Sequence, residues 1–122
     1  MMSDDTPKST LRDTWEAAAP GWAKWEQTFS GGLEQVTDDL LDQAGVDVGA
    51  RVLDVASGAG FQTIQAAKRV GPNGAVVASD ISGTMLAHVR RNAETAGLAN
   101  IETVESAAED LADTTNPFDA AI

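Results

Sequence analysis

RVLDVASGAGF, residues Arg51 to Phe61, is the stretch whose reading decides the fold of this chain. Val52, Leu53 and Val55 form the near-continuous apolar run of a parallel strand covered on both faces. Gly58 and Gly60 follow at once, and glycine allows backbone angles and close approaches that a side chain would block. The segment reads as a buried strand that passes through a glycine turn into a helix, an arrangement that cradles ligands.

Downstream, Phe61, Ile64 and Ala67 recur at helical spacing until the turn signal Gly71-Pro72-Asn73-Gly74. Ala75 to Ser79 reads as a second buried strand ending at Asp80. Ser82 then stands as a helix N-cap before the apolar face Met85, Leu86, Val89, Ala93 and Ala96. Gly97 closes that helix, Ile101 to Val104 is a third strand, Ala107 to Thr115 an acidic loop or single helical turn, and Phe118 to Ile122 the start of a fourth strand. Strand and helix alternate, which is the pattern of an α/β, doubly wound parallel sheet.

Upstream, Leu11, Trp15, Ala18, Trp22, Trp25 and Phe29 fall four and three residues apart on one helix face. Pro20-Gly21 predicts a bend that divides this stretch into two short helices, because proline lacks the N–H and clashes with the preceding turn. After Ser30-Gly31-Gly32, Leu33, Val36, Leu40, Leu41 and Ala44 predict a further amphipathic helix ending at Gly45, with Asp38, Asp39 and Asp42 on a solvated face. The tryptophan stripe packs on the body of the domain or forms a lid over the ligand cleft, and the two readings are compatible. Two regions follow, a helical cap over residues 1–45 and a strand-helix unit over 46–122. Because FDAAI stops within an apolar strand, the sheet reads as incomplete, with about four strands and truncated at Ile122.

Composition narrows the function. The 122 residues are 43% hydrophobic, enough for one core without disulfides or metals. Zero cysteines and one histidine leave little for a thiolate metal site or a Ser-His-Asp centre, so no metal is expected and the chain fits a reducing cytoplasm. No apolar run of membrane-spanning length occurs. A net charge of −11 repels phosphate backbones and anionic lipid, so neither nucleic acid nor membrane is an expected partner.

A G-x-G turn after a strand is used by several kinds of nucleotide-binding fold. Asp80 stands 20 residues beyond Gly60 at the end of the next strand, where a carboxylate can accept hydrogen bonds from both ribose hydroxyls of a nucleoside. The third glycine of a dinucleotide fingerprint would fall at position 63, where this chain has Thr63. Asp54, immediately before the loop, is awkward beside a pyrophosphate but compatible with the ammonium and sulfonium charges of S-adenosylmethionine. His88 lies beside Arg90 and Arg91 on a polar helix face and reads as solvated; Asp110, Asp113 and Asp119 are conceivable bases without a supporting partner in the sequence. No catalytic residue is assigned.

Three stretches in order resemble the class I (Rossmann-like) S-adenosylmethionine-dependent methyltransferases, in the ubiquinone/menaquinone-biosynthesis-like branch. VLDVASGAG resembles the glycine-rich first motif, VVASDISGTML the ribose-binding second, and IETVESAAEDL the adenine-side third, with FDAAI like the strand that follows. The resemblance implies a Rossmann-like fold, S-adenosylmethionine as cofactor and a small-molecule methyl acceptor. It implies that the backbone around Ala56, Ser57, Gly58 and Gly60 holds the methionine end, that Asp80 holds the ribose, that Ile81 flanks the adenine and that Ala108 and Glu109 edge it. Two positions depart from the family's pattern: Ala56 replaces a glycine, and Ala107 an aspartate that accepts from the adenine amino group. The expected activity is methyl transfer, with this chain alone inactive; the alternatives are a non-catalytic cofactor-binding module and a dinucleotide-dependent oxidoreductase.

Overall fold

The computed structural model describes residues 7–111 and 116–122, with nothing said of the Gln27 side chain. The chain runs α1 (Lys8–Gln43), β1 (Arg51–Val55), α2 (Phe61–Val70), β2 (Ala75–Asp80), α3 (Gly83–Thr95), β3 (Ile101–Glu105), a single 3₁₀ turn at Ala108–Asp110, and β4 (Ala120–Ala121). The four strands form one parallel sheet in the order β3-β2-β1-β4. The chain moves outward from β1 to β3 and then returns to the other side of β1. That reversal makes a switch point beside β1, and in open parallel sheets the crevice beyond the strand C-termini at such a point receives ligands.

Register follows from the hydrophobic pattern. Val52 pairs with Val76 and Leu53 with Val77, and the side chains of β1 alternate between faces. Val52 is fully buried with Ala66, Ala67 and Val70 of α2 and Val76 of β2, in the core that also takes Leu41 at the end of α1. Leu53 and Val55 are only half-buried, so the cover on the two faces of β1 is unequal. The fourth strand is tied to the first by more than its ladder: Arg51 donates its N–H to Asp119 Oδ2 at 2.8 Å and Nη1 to the Asn116 carbonyl at 2.6 Å, and its guanidinium lies 4.1 Å from the Phe118 ring centre.

The N-terminal helices differ from the expectation. Where Pro20-Gly21 and Ser30-Gly31-Gly32 predicted breaks, α1 is a single helix of 36 residues with Pro20 inside it. An interior proline costs about 3 kcal/mol and each interior glycine up to about 1 kcal/mol relative to alanine. Tertiary bonds on both sides of each breaker oppose that cost. Before Pro20, the Arg12 Nε donates to the Ile81 carbonyl at 3.1 Å, and Glu16 accepts from Ser82 Oγ at 2.8 Å. Beyond it, Glu26 accepts from Asn92, Gln65 donates to the Glu34 carbonyl, and Arg69 pairs with Asp42 at 2.6 Å.

These ties draw on the polar side of the helix, while Leu41 and Ala44 of the expected apolar face pack on the core. Asp39 and Asp42 stay exposed, as expected, and Asp38 and Asp42 also reach Gln65 and Arg69 of α2. The apolar stripe instead remains open: Trp22, Trp25, Phe29, Leu33 and Val36 are each between 47% and 59% exposed. Packing of that whole stripe on the body is therefore not what the fold shows; among the described residues of α1, Ala19, Thr37 and Leu41 are the buried ones. Part of the stripe serves as a wall, as described next.

Candidate cofactor-binding site

The loop between β1 and α2 builds the floor of the crevice. Ala56 has φ of +56°, the left-handed region, and among the described residues it is the one non-glycine there. A Cβ in that region costs about 1–2 kcal/mol, which explains physically why the resemblance calls for glycine at this position. Ser57 donates its N–H to the Ser79 carbonyl at 2.9 Å and fastens the loop to β2. The two glycines of the turn do different work. A Cβ on Gly58, with φ of +59°, would meet nothing within 4 Å, so it would project into open space. A Cβ on Gly60 would stand 2.9 Å from Val89 Cγ2 and 3.2 Å from its Cα, so that glycine lets α3 approach the loop.

Asp80 ends β2 beside this loop, 8% exposed. Its Oδ2 accepts from the Gly58 N–H at 2.9 Å and its Oδ1 from the Ser82 N–H at 2.9 Å. Each carboxylate oxygen has two acceptor positions, so one on each remains for a ligand's hydroxyl donors. Ser82 completes the junction by capping α3, its Oγ accepting from the Met85 N–H at 3.1 Å. Glu16 of α1 reaches the same helix start, accepting from Ser82 Oγ, the Thr84 N–H and Thr84 Oγ1. Those hydrogen bonds, Thr84's first, hold the Glu16 carboxyl below its ordinary pKa.

Above the floor is a cavity of about 370 Å³, walled by Ala56, Gly58, Asp80, Ile81, Ser106, Ala107, Ala108 and Glu109 from the sheet side and by Leu11, Trp15 and Trp22 from α1. Most of this lining is apolar, with Asp80 and Glu109 its charged members. Trp15 and Trp22 lie 6.4 Å apart between ring centres, and Trp22 lies 5.7 Å from Phe29. The start of α1 is strapped over the far end by Lys8 to Asp110 at 2.6 Å. The lid reading of the tryptophan stripe thus holds for its first half.

Of the residues singled out from sequence, Ala56, Gly58, Asp80, Ile81, Ala108 and Glu109 line one cavity, while Ser57 and Gly60 shape its loop from behind. Asp54 is elsewhere. It is 1% exposed, with Oδ2 accepting from Thr63 Oγ1 at 2.7 Å and Oδ1 from Gln62 Nε2 at 3.5 Å, and it does not line the cavity. Burial raises its pKa to about 6, against the two hydrogen bonds, and the negative charge of Asp80 adds to the rise. The conceivable bases are explained otherwise: Asp110 pairs with Lys8, Asp119 pins β4, and Asp113 lies outside the described residues. His88 contacts Arg91 and does not line the cavity. Leu11, Trp15 and Trp22 were legible as one apolar helix face; Ser106 and the burial of Ala107 carried no sequence signal.

The residues present fit a nucleoside whose base lies against an apolar wall. Asp80 has acceptor capacity for two hydroxyls, Gly58 leaves open the space a Cβ would take, and Ile81, Ala107 and Ala108 give the same cavity an apolar wall. The Asp80 carboxylate on the cavity wall disfavours a pyrophosphate there, and Thr63, which stands where a dinucleotide fingerprint has its third glycine, is buried with its hydroxyl on Asp54.

Comparison with known proteins agrees with this geometry. A family model described as a methyltransferase domain matches residues 52–122. The ubiquinone/menaquinone biosynthesis C-methyltransferase UbiE of Pseudomonas fluorescens (strain SBW25) is 36% identical over 111 residues, covering 89% of this chain and 43% of that protein. The protein of the same name from Ectopseudomonas oleovorans is 33% identical over 121 residues, covering 94% of this chain and 71% of that one. Among solved structures, a SAM-dependent methyltransferase from Aquifex aeolicus superposes with a TM-score of 0.57 at 32% identity, over 62% of this chain and 40% of that chain. A protein-L-isoaspartate O-methyltransferase gives a TM-score of 0.65 at 26% identity, over 70% and 27%.

A parallel sheet reversing beside a glycine loop, with an acidic residue at the end of β2, defines a Rossmann-like domain of the S-adenosylmethionine-dependent methyltransferase class. The chain belongs to the methyltransferase domain family, and within it to the ubiquinone/menaquinone-biosynthesis-like branch. It spans about half the length of most of the curated relatives it matches, 43% of the first and 47% of that from Ectopseudomonas mendocina (strain ymp). Among the described residues, no helix is long and apolar enough to cross a membrane.

Proposed function

We propose that this chain is the cofactor-binding part of a methyltransferase that passes the methyl group of S-adenosylmethionine to a carbon atom of a small, apolar acceptor. The observation that carries the reading is the buried Asp80 carboxylate held at the loop by the Gly58 N–H, with an apolar cavity extending past Ile81. When bound, the cofactor supplies an electrophilic methyl on a sulfonium sulfur. Asp80 holds the ribose by charge-assisted hydrogen bonds, and its bond to Gly58 fixes the loop at the same time. Leu11, Trp15 and Trp22 of α1 supply an apolar wall to the same cavity. The protein's contribution is positioning: a donor held rigidly in line with its acceptor needs little further reorganisation.

Two further facts support a small acceptor. The net charge of −11 disfavours approach of a nucleic acid. The names of the curated relatives point to quinone biosynthesis and to carbon as the methylated atom. The test is transfer of labelled methyl from S-adenosylmethionine to a demethylated quinol by the protein that carries this segment. Label on the quinol ring is expected, and label confined to RNA or protein would contradict the proposal.

A further inference from the structure

A second cavity, of about 190 Å³, adjoins the first and shares Trp22 and Gly58 with it. Its lining includes Ala59 and Phe61, the end of the loop and the first residue of α2, and its one charged member is Glu26 of α1. Glu26 is half-buried, and its Oε2 accepts from Asn92 Nδ2 at 3.1 Å. The same Asn92 amide nitrogen donates to the Ala59 carbonyl at 3.0 Å. One asparagine of α3 therefore holds the Glu26 carboxylate and the glycine loop in a fixed relation.

An adenosine with an amino-acid tail is a long molecule with base and tail on opposite sides of the ribose. With the ribose at Asp80 and the base toward Ile81 and Ala107, a tail passing Gly58 would enter the second cavity, which shares that residue. That tail carries an ammonium group. Asp54, the acid nearest the loop in sequence, is turned into the core and bonded to Thr63, so it does not face either cavity. We propose, resting on the cofactor reading above, that Glu26 is the counter-ion for the α-ammonium group of the bound cofactor, with Asn92 as its positioning residue. Burial already raises the proton affinity of Glu26, against the Asn92 hydrogen bond, and a cation alongside would offset that burial.

The test uses the full 122-residue chain and two ligands followed by calorimetry to millimolar concentration: S-adenosylhomocysteine, and its analogue lacking only the α-amino group. Glu26→Gln keeps a side chain that can accept from Asn92. It is expected to weaken S-adenosylhomocysteine about tenfold while leaving the deaminated analogue unchanged, as for loss of one charge-assisted bond. In the wild type, removing the amino group should cost the same factor, closing the cycle. Equal weakening of both ligands would make Glu26 a packing residue and overturn the assignment, as would no weakening of either. Asn92→Ala should weaken S-adenosylhomocysteine more than the analogue, and equal loss of both would remove its positioning role. If the wild type binds neither ligand, the cofactor reading itself fails; if it binds both and the variant behaves as wild type, only the Glu26 assignment fails.

Discussion

Asp54 and Thr63 are joined by a 2.7 Å hydrogen bond inside the domain, with the carboxylate at 1% exposure and the hydroxyl fully buried. This pair ties the end of β1 to the first turn of α2, behind the loop that faces the cavity. It places a titratable group in the core of the site without exposing it to a ligand.

The first prediction concerns pH. Asp54 has a folded pKa of about 6 against an ordinary 3.8, so the folded state binds its proton more tightly than the unfolded state. Its contribution is therefore most favourable below the ordinary value and is lost as pH rises toward and through 6, by about 3 kcal/mol in all and about 1 kcal/mol between pH 5 and 7. Glu26, also raised, acts in the same direction. Asp54→Asn keeps an acceptor for Thr63 and should reduce that slope, leaving the part due to Glu26. Thermal unfolding of both proteins at pH 5 and 7 checks it, and parallel profiles would contradict it.

Glu16 has the opposite sign. Its folded pKa is lowered by Thr84 and Ser82, so its contribution is present above the ordinary value of 4.5 and is lost as pH falls through the folded pKa. Glu16→Gln should lower the melting temperature at pH 7 and converge with the wild type at acid pH. An offset that does not change with pH would mean that the charge plays no part.

The two loop glycines should separate in experiment. Gly60→Ala puts a Cβ against Val89 at a positive φ of +97° and should destabilise the fold by about 1–3 kcal/mol. Gly58→Ala meets open space, so the left-handed backbone costs it about 1–2 kcal/mol while its methyl enters the cavity. Denaturant unfolding should rank Gly60→Ala as less stable or equal, whereas S-adenosylhomocysteine titration should show the larger loss per unit of lost stability in Gly58→Ala. The reverse pattern would assign the ligand contact to the wrong glycine.

Much of the strand and loop framework was legible because it is set by local rules. The apolar runs at Val52 and Val76, short and bounded by turn residues, read as buried strands, Gly71-Pro72-Asn73-Gly74 stops a helix, and Ser82 caps the next one as its position implied. The N-terminal half was misread because its breakers act locally while its ties are distant. Pro20 and Gly31-Gly32 argue for separate helices, yet Glu16 to α3 and Arg69 to Asp42 bind one continuous helix along its length. The same ties use polar side chains, so the apolar periodicity, which does mark Leu41 in the core, carries no trace of them. In the site, Asp80 and Gly58 could be placed from spacing. The inward turn of Asp54 could not, because it depends on Thr63 meeting it across the β1–α2 junction.

The central claim, that the cavity beside Asp80 takes the nucleoside of S-adenosylmethionine, is open to one direct measurement. Trp15 and Trp22 line that cavity, so their fluorescence should report its occupation. Titrating S-adenosylhomocysteine into the wild type should give a saturable change. In Asp80→Ala the midpoint should rise at least about tenfold, from loss of hydrogen bonds to a charged group worth about 1.5–3 kcal/mol each. Saturation by a nicotinamide dinucleotide instead, or an unchanged midpoint in Asp80→Ala, would contradict the account.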